Sequence, residues 1–179
     1  MPATALDIGA GAGKYGKLLN DACPECVVTA VEIYEEYVER FHLREIYDYV
    51  HCGDAVQLIE SAVDSTYDLV LFGDVLEHFR KSCGVDLLNF FLYRSRYILA
   101  LFPSEYVQNS VDGNRAEAHL SIWTEKDFAG MPHSPVYSIG TSHIVLITGY
   151  LAHADDLQNA VNFLEQHLSR GSGSASSPT

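Results

Sequence analysis

Ala5-Leu6-Asp7-Ile8-Gly9-Ala10-Gly11-Ala12-Gly13-Lys14-Tyr15-Gly16 lies close to the start of the chain and decides its reading. An apolar run of strand character meets three glycines at alternate positions, and a helix-forming stretch follows. Glycines so spaced let the backbone turn tightly and aim its N–H groups at a ligand held at the positive end of a helix. The unit is strand, glycine loop, helix, and it suits a nucleotide-like small molecule.

Working outward, Thr4 to Ile8 form the first strand and Lys14 to Ala22 a helix. Val27-Val28-Thr29-Ala30-Val31 reads as a second strand, apolar on both faces as a buried parallel strand is. Tyr34, Tyr37, Val38 and Phe41 repeat at helical spacing, and Tyr47 to His51 form a short third strand. Asp54 can cap a helix whose inner face is Ala55, Leu58, Ile59 and Ala62. Asp68 to Gly73 make strand four, and Leu87, Leu88, Phe91 and Leu92 one face of the next helix. Tyr97 to Phe102 make strand five, stopped by Pro103, and a polar segment runs from Ser104 to Ser121. Thr124 caps a short helix with Asp127 in a near capping box. Val136–Ile139 and His143–Thr148 flank Gly140-Thr141-Ser142, a link short enough for an antiparallel hairpin. A final helix carries Leu157, Ala160, Val161, Leu164 and Leu168 on one face, with Asp155 and Asp156 near its start and Arg170 and Gly171 at its end.

Regular alternation of strand and helix predicts an α/β fold with a doubly wound, mostly parallel sheet and helices on both faces. Ligands of such sheets bind beyond the carboxyl ends of the strands. The loops at Gly9–Gly13, Glu32, Asp54 and Asp74 are therefore expected to crowd one edge.

The bulk properties narrow the partners. The 179 residues suit one domain over 1–170, with a Gly/Ser-rich tail at 171–179 expected to be flexible. No stretch approaches the roughly 20 apolar residues of a membrane span, and the start lacks a signal-peptide layout, so a cytoplasmic location is expected. A formal charge of −13 argues against a nucleic-acid partner and mildly favours a cationic ligand. Cys23-Pro24-Glu25-Cys26 has a metal or redox spacing but no second pair to complete a zinc site. It reads as thiols in a connecting loop, and no metal centre is expected.

Two ligand classes compete for the glycine loop. Gly11-Ala12-Gly13-Lys14-Tyr15-Gly16, followed by Glu32, formally matches the dinucleotide fingerprint. Counted from Gly9, the first glycine after the strand, Lys14 falls where the third fingerprint glycine belongs. A fuller match uses Asp7-x-Gly9-x-Gly11-x-Gly13, Glu32 closing strand two, Gly53-Asp54-Ala55 after strand three, and Asp74-Val75-Leu76-Glu77-His78-Phe79 after strand four. In that combination the chain resembles the class I S-adenosylmethionine-dependent methyltransferases of small-molecule type, over about Ala5 to Thr148.

The resemblance implies a seven-stranded sheet of order 3-2-1-4-5-7-6 with strand seven antiparallel, and S-adenosyl-L-methionine as cofactor. Its implied site has backbone at Gly9, Gly11 and Gly13 around the methionine portion, with Asp7 near the ammonium group. Glu32 would take the ribose hydroxyls, Asp54 with Gly53 and Ala55 the adenine edge, and Ile33 with Val75 or Leu76 the ring faces. Asp74 would also border the cofactor. Asp7 as a buried structural acid, Asp54 as a plain helix cap and Glu32 as a surface acid stay open as alternatives.

For the chemistry, His78, His119 and Asp74 are the candidate bases, with His119 facing the substrate and Trp123 beneath it. Either histidine could instead only pin its loop. No Asn/Asp-Pro-Pro-Tyr/Phe follows strand four, which disfavours amide and nucleobase nitrogen targets. A small-molecule, sugar or lipid-linked acceptor is expected, at oxygen in preference to nitrogen or carbon. The chain begins almost at strand one, leaving Ser104–Ser121 as the acceptor cover, so three alternatives stay open: a large acceptor that protrudes, a second copy or partner chain that completes the pocket, or a chain truncated at its start. A non-catalytic interaction subunit of the same fold, and behind it a NAD(P)-dependent oxidoreductase, remain the alternatives.

Overall fold

The computed structural model describes residues 1–104, 106–167 and 169–170. Its sheet contains β1 (Thr4–Ile8), β2 (Val27–Glu32), β3 (Tyr49–Cys52), β4 (Tyr67–Gly73), β5 (Ser95–Pro103), β6 (Tyr137–Ile139), β7 (Ser142–Thr148) and β8 (Ser169–Arg170). The strands lie in the order β3-β2-β1-β4-β5-β7-β6-β8. β3, β2, β1, β4 and β5 are mutually parallel; β7 runs antiparallel to β5, and β6 antiparallel to β7. The helices are α1 (Lys14–Ala22), α2 (Glu35–Arg40), α3 (Leu43–Ile46), α4 (Ala55–Ser61), α5 (Lys81–Leu92) and α6 (Ala154–His167). The seven-stranded order expected from sequence is present.

β1 lies at the middle of the parallel half, and its alternating side chains feed two cores. Leu6 and Ile8 join Phe72, Leu88, Phe91 and Ile98 on one face. Ala5 joins Val28, Ala30, Val38, Leu43 and Tyr47 on the other. Asp7 shares the second face and is fully buried. With helices covering both faces, the carboxyl ends of β1, β2 and β4 remain the place where loops can gather around a ligand.

Several expectations shift. The stripe from Tyr34 to Phe41 is broken: α2 ends at Arg40, and His42 at φ 52 restarts the chain as α3. Tyr47, expected to open strand three, caps α3 and buries its ring, because its hydroxyl finds Asp7 inside the protein. Pro103 closes β5 and keeps its place opposite Ser142 at the last rung. The capping box of Thr124 and Asp127 forms, but on a single 3-10 turn, Glu125–Phe128. The hairpin turn tightens to Gly140-Thr141, with Gly140 at φ 59. Arg170, expected at the end of the last helix, instead lies in β8, which pairs antiparallel with β6 and covers the sheet edge. Leu168 and the tail at 171–179 lie outside the described residues. Among the described residues no helix is long and apolar enough to cross a membrane.

Candidate functional site

A cavity of about 570 Å³ opens at the carboxyl ends of β1, β2 and β4. Gly9, Gly11, Glu32, Ile33, Gly53, Asp54, Ala55, Asp74, Val75 and His78 all line it, so the fold brings together residues from four separate loops. Asp7 and Gly13 lie behind that wall, and His119 borders a small adjoining pocket with Glu77.

The glycine loop is held open by its own geometry. Gly9, Gly11 and Gly13 all have positive φ (75, 52 and 74). The Gly9 and Ala10 amides donate to the Val31 carbonyl at 2.8 and 3.1 Å, which ties the loop to β2. A Cβ at Gly9 would overlap Val75, and one at Gly13 would meet Ile46 Cδ1 at 2.6 Å. A Cβ at Gly11 would meet only the Gly9 carbonyl, at 3.9 Å. Gly9 and Gly13 are thus demanded by packing, whereas Gly11 keeps a gap on the cavity side.

Glu32, at the last position of β2, is 5% exposed. Its Oε2 accepts from the Gly11 amide at 2.8 Å and its Oε1 from the Tyr34 amide at 2.8 Å. Burial pushes its carboxyl above the usual range, and those two amide donors pull it part of the way back. The Gly53 amide donates to the Glu32 carbonyl at 2.8 Å, drawing the β3 loop to the same point. Beyond it, Asp54 Oδ1 accepts from the Val56 amide at 2.9 Å as the N-cap of α4. Ile33 is half exposed on the cavity wall, with Val75 on the opposite loop.

Asp7, fully buried in β1, accepts at Oδ2 from the Tyr47 hydroxyl at 2.5 Å, and the same hydroxyl accepts from the Gly16 amide at 3.1 Å. Its Oδ1 is buried with no hydrogen-bond partner among the described residues. Burial is the main cause that raises its carboxyl from 3.8 to about 6; the Tyr47 bond opposes this, and the charge of Glu32 adds to it. Asp7 acts behind the loop, fastening β1 to the start of α1 through Tyr47.

At the other end of the cavity, Asp74 is one of three non-glycine residues with positive φ among those described (φ 54). Such a conformation costs about 1–3 kcal/mol and concentrates at functional sites. Its Oδ2 accepts from the Tyr15 hydroxyl at 2.6 Å and pairs with Lys14 Nζ at 3.4 Å. The Tyr15 ring covers Gly73, where any Cβ would overlap it. Burial first, and then the bond to Asp74, push the Tyr15 phenol well above its usual range. The sequence reading missed Tyr15; in the first turn of a helix it carries no local signal, and only the parallel pairing of β1 with β4 reveals its partner.

The turn after β4 carries the chemistry-bearing pair. Glu77 is 3% exposed, and its Oε2 has no hydrogen-bond partner among the described residues. Burial, with smaller contributions from the charges of Asp74 and Glu117, raises its carboxyl to about 7. His78 Nδ1 lies 3.3 Å from the Ala118 carbonyl, and burial lowers its pKa. His119 Nδ1 lies 2.9 Å from the Tyr106 carbonyl. The two imidazoles meet edge to face with centroids 4.9 Å apart. The segment after β5 is pinned there because the Leu120 and Ser121 amides both donate to the Glu77 carbonyl, at 2.7 and 3.1 Å. Trp123, expected beneath His119, stacks on Phe128 and donates Nε1 to the Leu76 carbonyl at 2.9 Å. The ring neighbours of His119 are His78 and Tyr106. Cys23, Cys26, Cys52 and Cys83 are free thiols, and Cys23 and Cys26 sit in the loop between α1 and β2.

Residues 6–92 match a family model described as a methyltransferase domain. No protein of curated function matches the sequence. Among solved structures, an O-methyltransferase family protein from Burkholderia thailandensis is similar, with a TM-score of 0.62 and 13% identity over 83% of this chain and 51% of that one. Magnesium protoporphyrin IX methyltransferase from Synechocystis, solved with bound S-adenosylhomocysteine, aligns with a TM-score of 0.58 and 15% identity over 81% and 73%. The methyltransferase domain of a bacterial Hen1 aligns with a TM-score of 0.58 and 18% identity over 82% and 90%. At these identities the likeness is one of fold. The chain spans about half the length (51%) of the first O-methyltransferase structures it matches.

Proposed function

We propose that the chain is a class I S-adenosylmethionine-dependent methyltransferase, a reading supported by the family match over residues 6–92 and by the shared fold, and that residues 1–170 form one catalytic domain which methylates a small hydroxyl-bearing acceptor in the cytoplasm. The observation that carries this reading is the polarity of the cavity. A glycine gap, Glu32 and Asp54 stand at one end, and Asp74 with His78 at the other.

The residues present fit the cofactor. Gly11 leaves backbone-width space, and Glu32 and Asp54 offer carboxylates to a ribose diol and an exocyclic amine, with Ile33 and Val75 as apolar faces for a flat ring. S-adenosylmethionine, when bound, supplies a methyl group already activated on a sulfonium. Because the leaving group needs no further activation, the chain's main task is alignment, which can supply about 7–11 kcal/mol of barrier reduction. Asp74, held in its strained conformation by Tyr15 and Lys14, fixes the boundary between cofactor and acceptor. The Ala118 carbonyl can only accept, so it selects the His78 tautomer that carries its proton on Nδ1 and a lone pair on Nε2. That lone pair is the proton acceptor for the hydroxyl, a contribution of about 10²–10⁴-fold.

Calorimetric titration tests the cofactor: S-adenosylhomocysteine is expected to bind and NADH not to. Tight NADH binding without S-adenosylhomocysteine binding would return the site to the oxidoreductases. An acceptor screen with labelled S-adenosylmethionine then separates an enzyme from a silent subunit of the same fold.

A further inference from the structure

We propose that Glu77, His78 and His119 form a binding site for one divalent transition-metal ion at the acceptor end of the cavity. One potential ligand atom from each of the three residues lies within 4.8 Å of the other two. Two imidazoles and one carboxylate form a borderline donor set, which suits Zn²⁺, Co²⁺, Mn²⁺ or Fe²⁺ better than the all-oxygen cations.

Orientation makes this more than proximity. Both histidines place Nδ1 against a backbone carbonyl, Ala118 at 3.3 Å and Tyr106 at 2.9 Å. A carbonyl cannot donate, so each neutral ring is protonated at Nδ1 and presents its lone pair at Nε2. This is the outer-shell arrangement by which metal-binding histidines are held in register. Glu77 brings a buried carboxylate whose Oε2 has no hydrogen bond among the described residues. That buried carboxylate and two imidazoles with acceptor Nε2 atoms come together in one cluster. A buried group of that kind is costly to leave bare, and a cation supplies the missing partner.

The cluster is assembled by the fold. Glu77 and His78 are neighbours in the turn after β4, whereas His119 comes from the segment after β5, and the Leu120 and Ser121 amides lock that segment to the Glu77 carbonyl. Asp74 and Glu117, both on the cavity wall, add negative potential around the cluster. The sequence reading expected no metal, because only the tertiary pairing of these two segments completes the set.

Three protein ligands leave coordination positions free, and His78 borders the main cavity, so those positions are open to the acceptor. Here the inference rests on the methyl-transfer reading. A hydroxyl oxygen on the ion loses its proton to solvent more readily. Its lone pair then forms the O–C bond, while the electron pair of the C–S bond returns to sulfur. On this account the two histidines hold the ion, and His78 no longer takes the proton itself.

The test uses Co²⁺ alone on the full chain after dialysis against a chelator, followed by calorimetry and visible absorption. One equivalent is expected, with d–d bands and no thiolate charge-transfer band. Glu77→Gln, close to isosteric in its buried site, and His119→Gln are each expected to weaken Co²⁺ at least about 10-fold. S-adenosylhomocysteine affinity is expected to change less than about two-fold. Absent Co²⁺ binding, a thiolate band, or affinity unmoved by both substitutions in folded protein would overturn the site. S-adenosylhomocysteine binding without Co²⁺ binding would sink this inference and leave the methyltransferase reading standing; the reverse would do the opposite.

Discussion

Asp7→Asn tests whether the carboxylate behind the glycine loop is a charge held in the protein at a cost. Its displacement from 3.8 to about 6 corresponds to about 3 kcal/mol, placed on the fold by burial and only partly offset by the Tyr47 hydroxyl. The folded value lies above the unfolded one, so the folded chain binds this proton more tightly. The stability it contributes is therefore full below pH 3.8 and is lost as pH rises through about 6. The substituted side chain would keep the acceptor for Tyr47 but place an amide nitrogen where Oδ1 is unpartnered, at a pH-independent cost of about 1–3 kcal/mol. Urea denaturation followed by circular dichroism is therefore expected to show the variant less stable than wild type near pH 4. The gap should close or reverse by pH 7, a total swing of about 2.5 kcal/mol. Groups common to both proteins cancel in the difference. A gap that stays constant from pH 4 to 7 would refute the assignment of a raised pKa to Asp7, and with it the account of the Asp7–Tyr47–Gly16 fastening.

The remaining predictions concern the cavity. Glu32→Gln keeps the shape but loses the charge, so S-adenosylhomocysteine affinity is expected to fall roughly 10–100-fold in calorimetry, the worth of charged hydrogen bonds of about 1.5–3 kcal/mol. Gly11→Ala and Gly13→Ala should separate. Both strain a positive φ, but alanine at 13 also meets Ile46, so its melting temperature should drop further, while alanine at 11 enters the cavity side and mainly weakens the cofactor. Tyr15→Phe deprives Asp74 of its hydroxyl donor; kcat is expected to fall about 10-fold with cofactor affinity changed less than about three-fold. Burial lowers the His78 pKa, so kcat/KM should fall on acidification with a midpoint below 6.5, because the protonated ring can neither take a proton nor hold an ion.

How far the sequence reaches into this site depends on the range over which each residue is fixed. β1 and α1 are legible to their end residues, because an apolar run, alternating glycines and an amphipathic turn are all local signals. The same holds for Asp54, whose role as a cap is decided two residues away by the Val56 amide. Glu32 is legible in position but not in partners: nothing local says that both its oxygens accept from backbone amides, one of them across the strand pair at Gly11. Asp7 and Tyr47 show where local reading fails. Tyr47 has strand propensity and falls next to a strand, yet it serves the interior, because a buried acid within the sheet needs a donor and Tyr47 carries one on an apolar body. His119 lies furthest from any local rule. It stands in a polar segment without periodicity, and it reaches His78 only because the next two amides along the chain donate to the Glu77 carbonyl. The residues that border the cavity thus follow from the strand order, which the family resemblance implies and the alternating pattern alone does not fix. The residues that hold those in place are chosen by the need to satisfy buried polar atoms, and that need exists only once the sheet has formed.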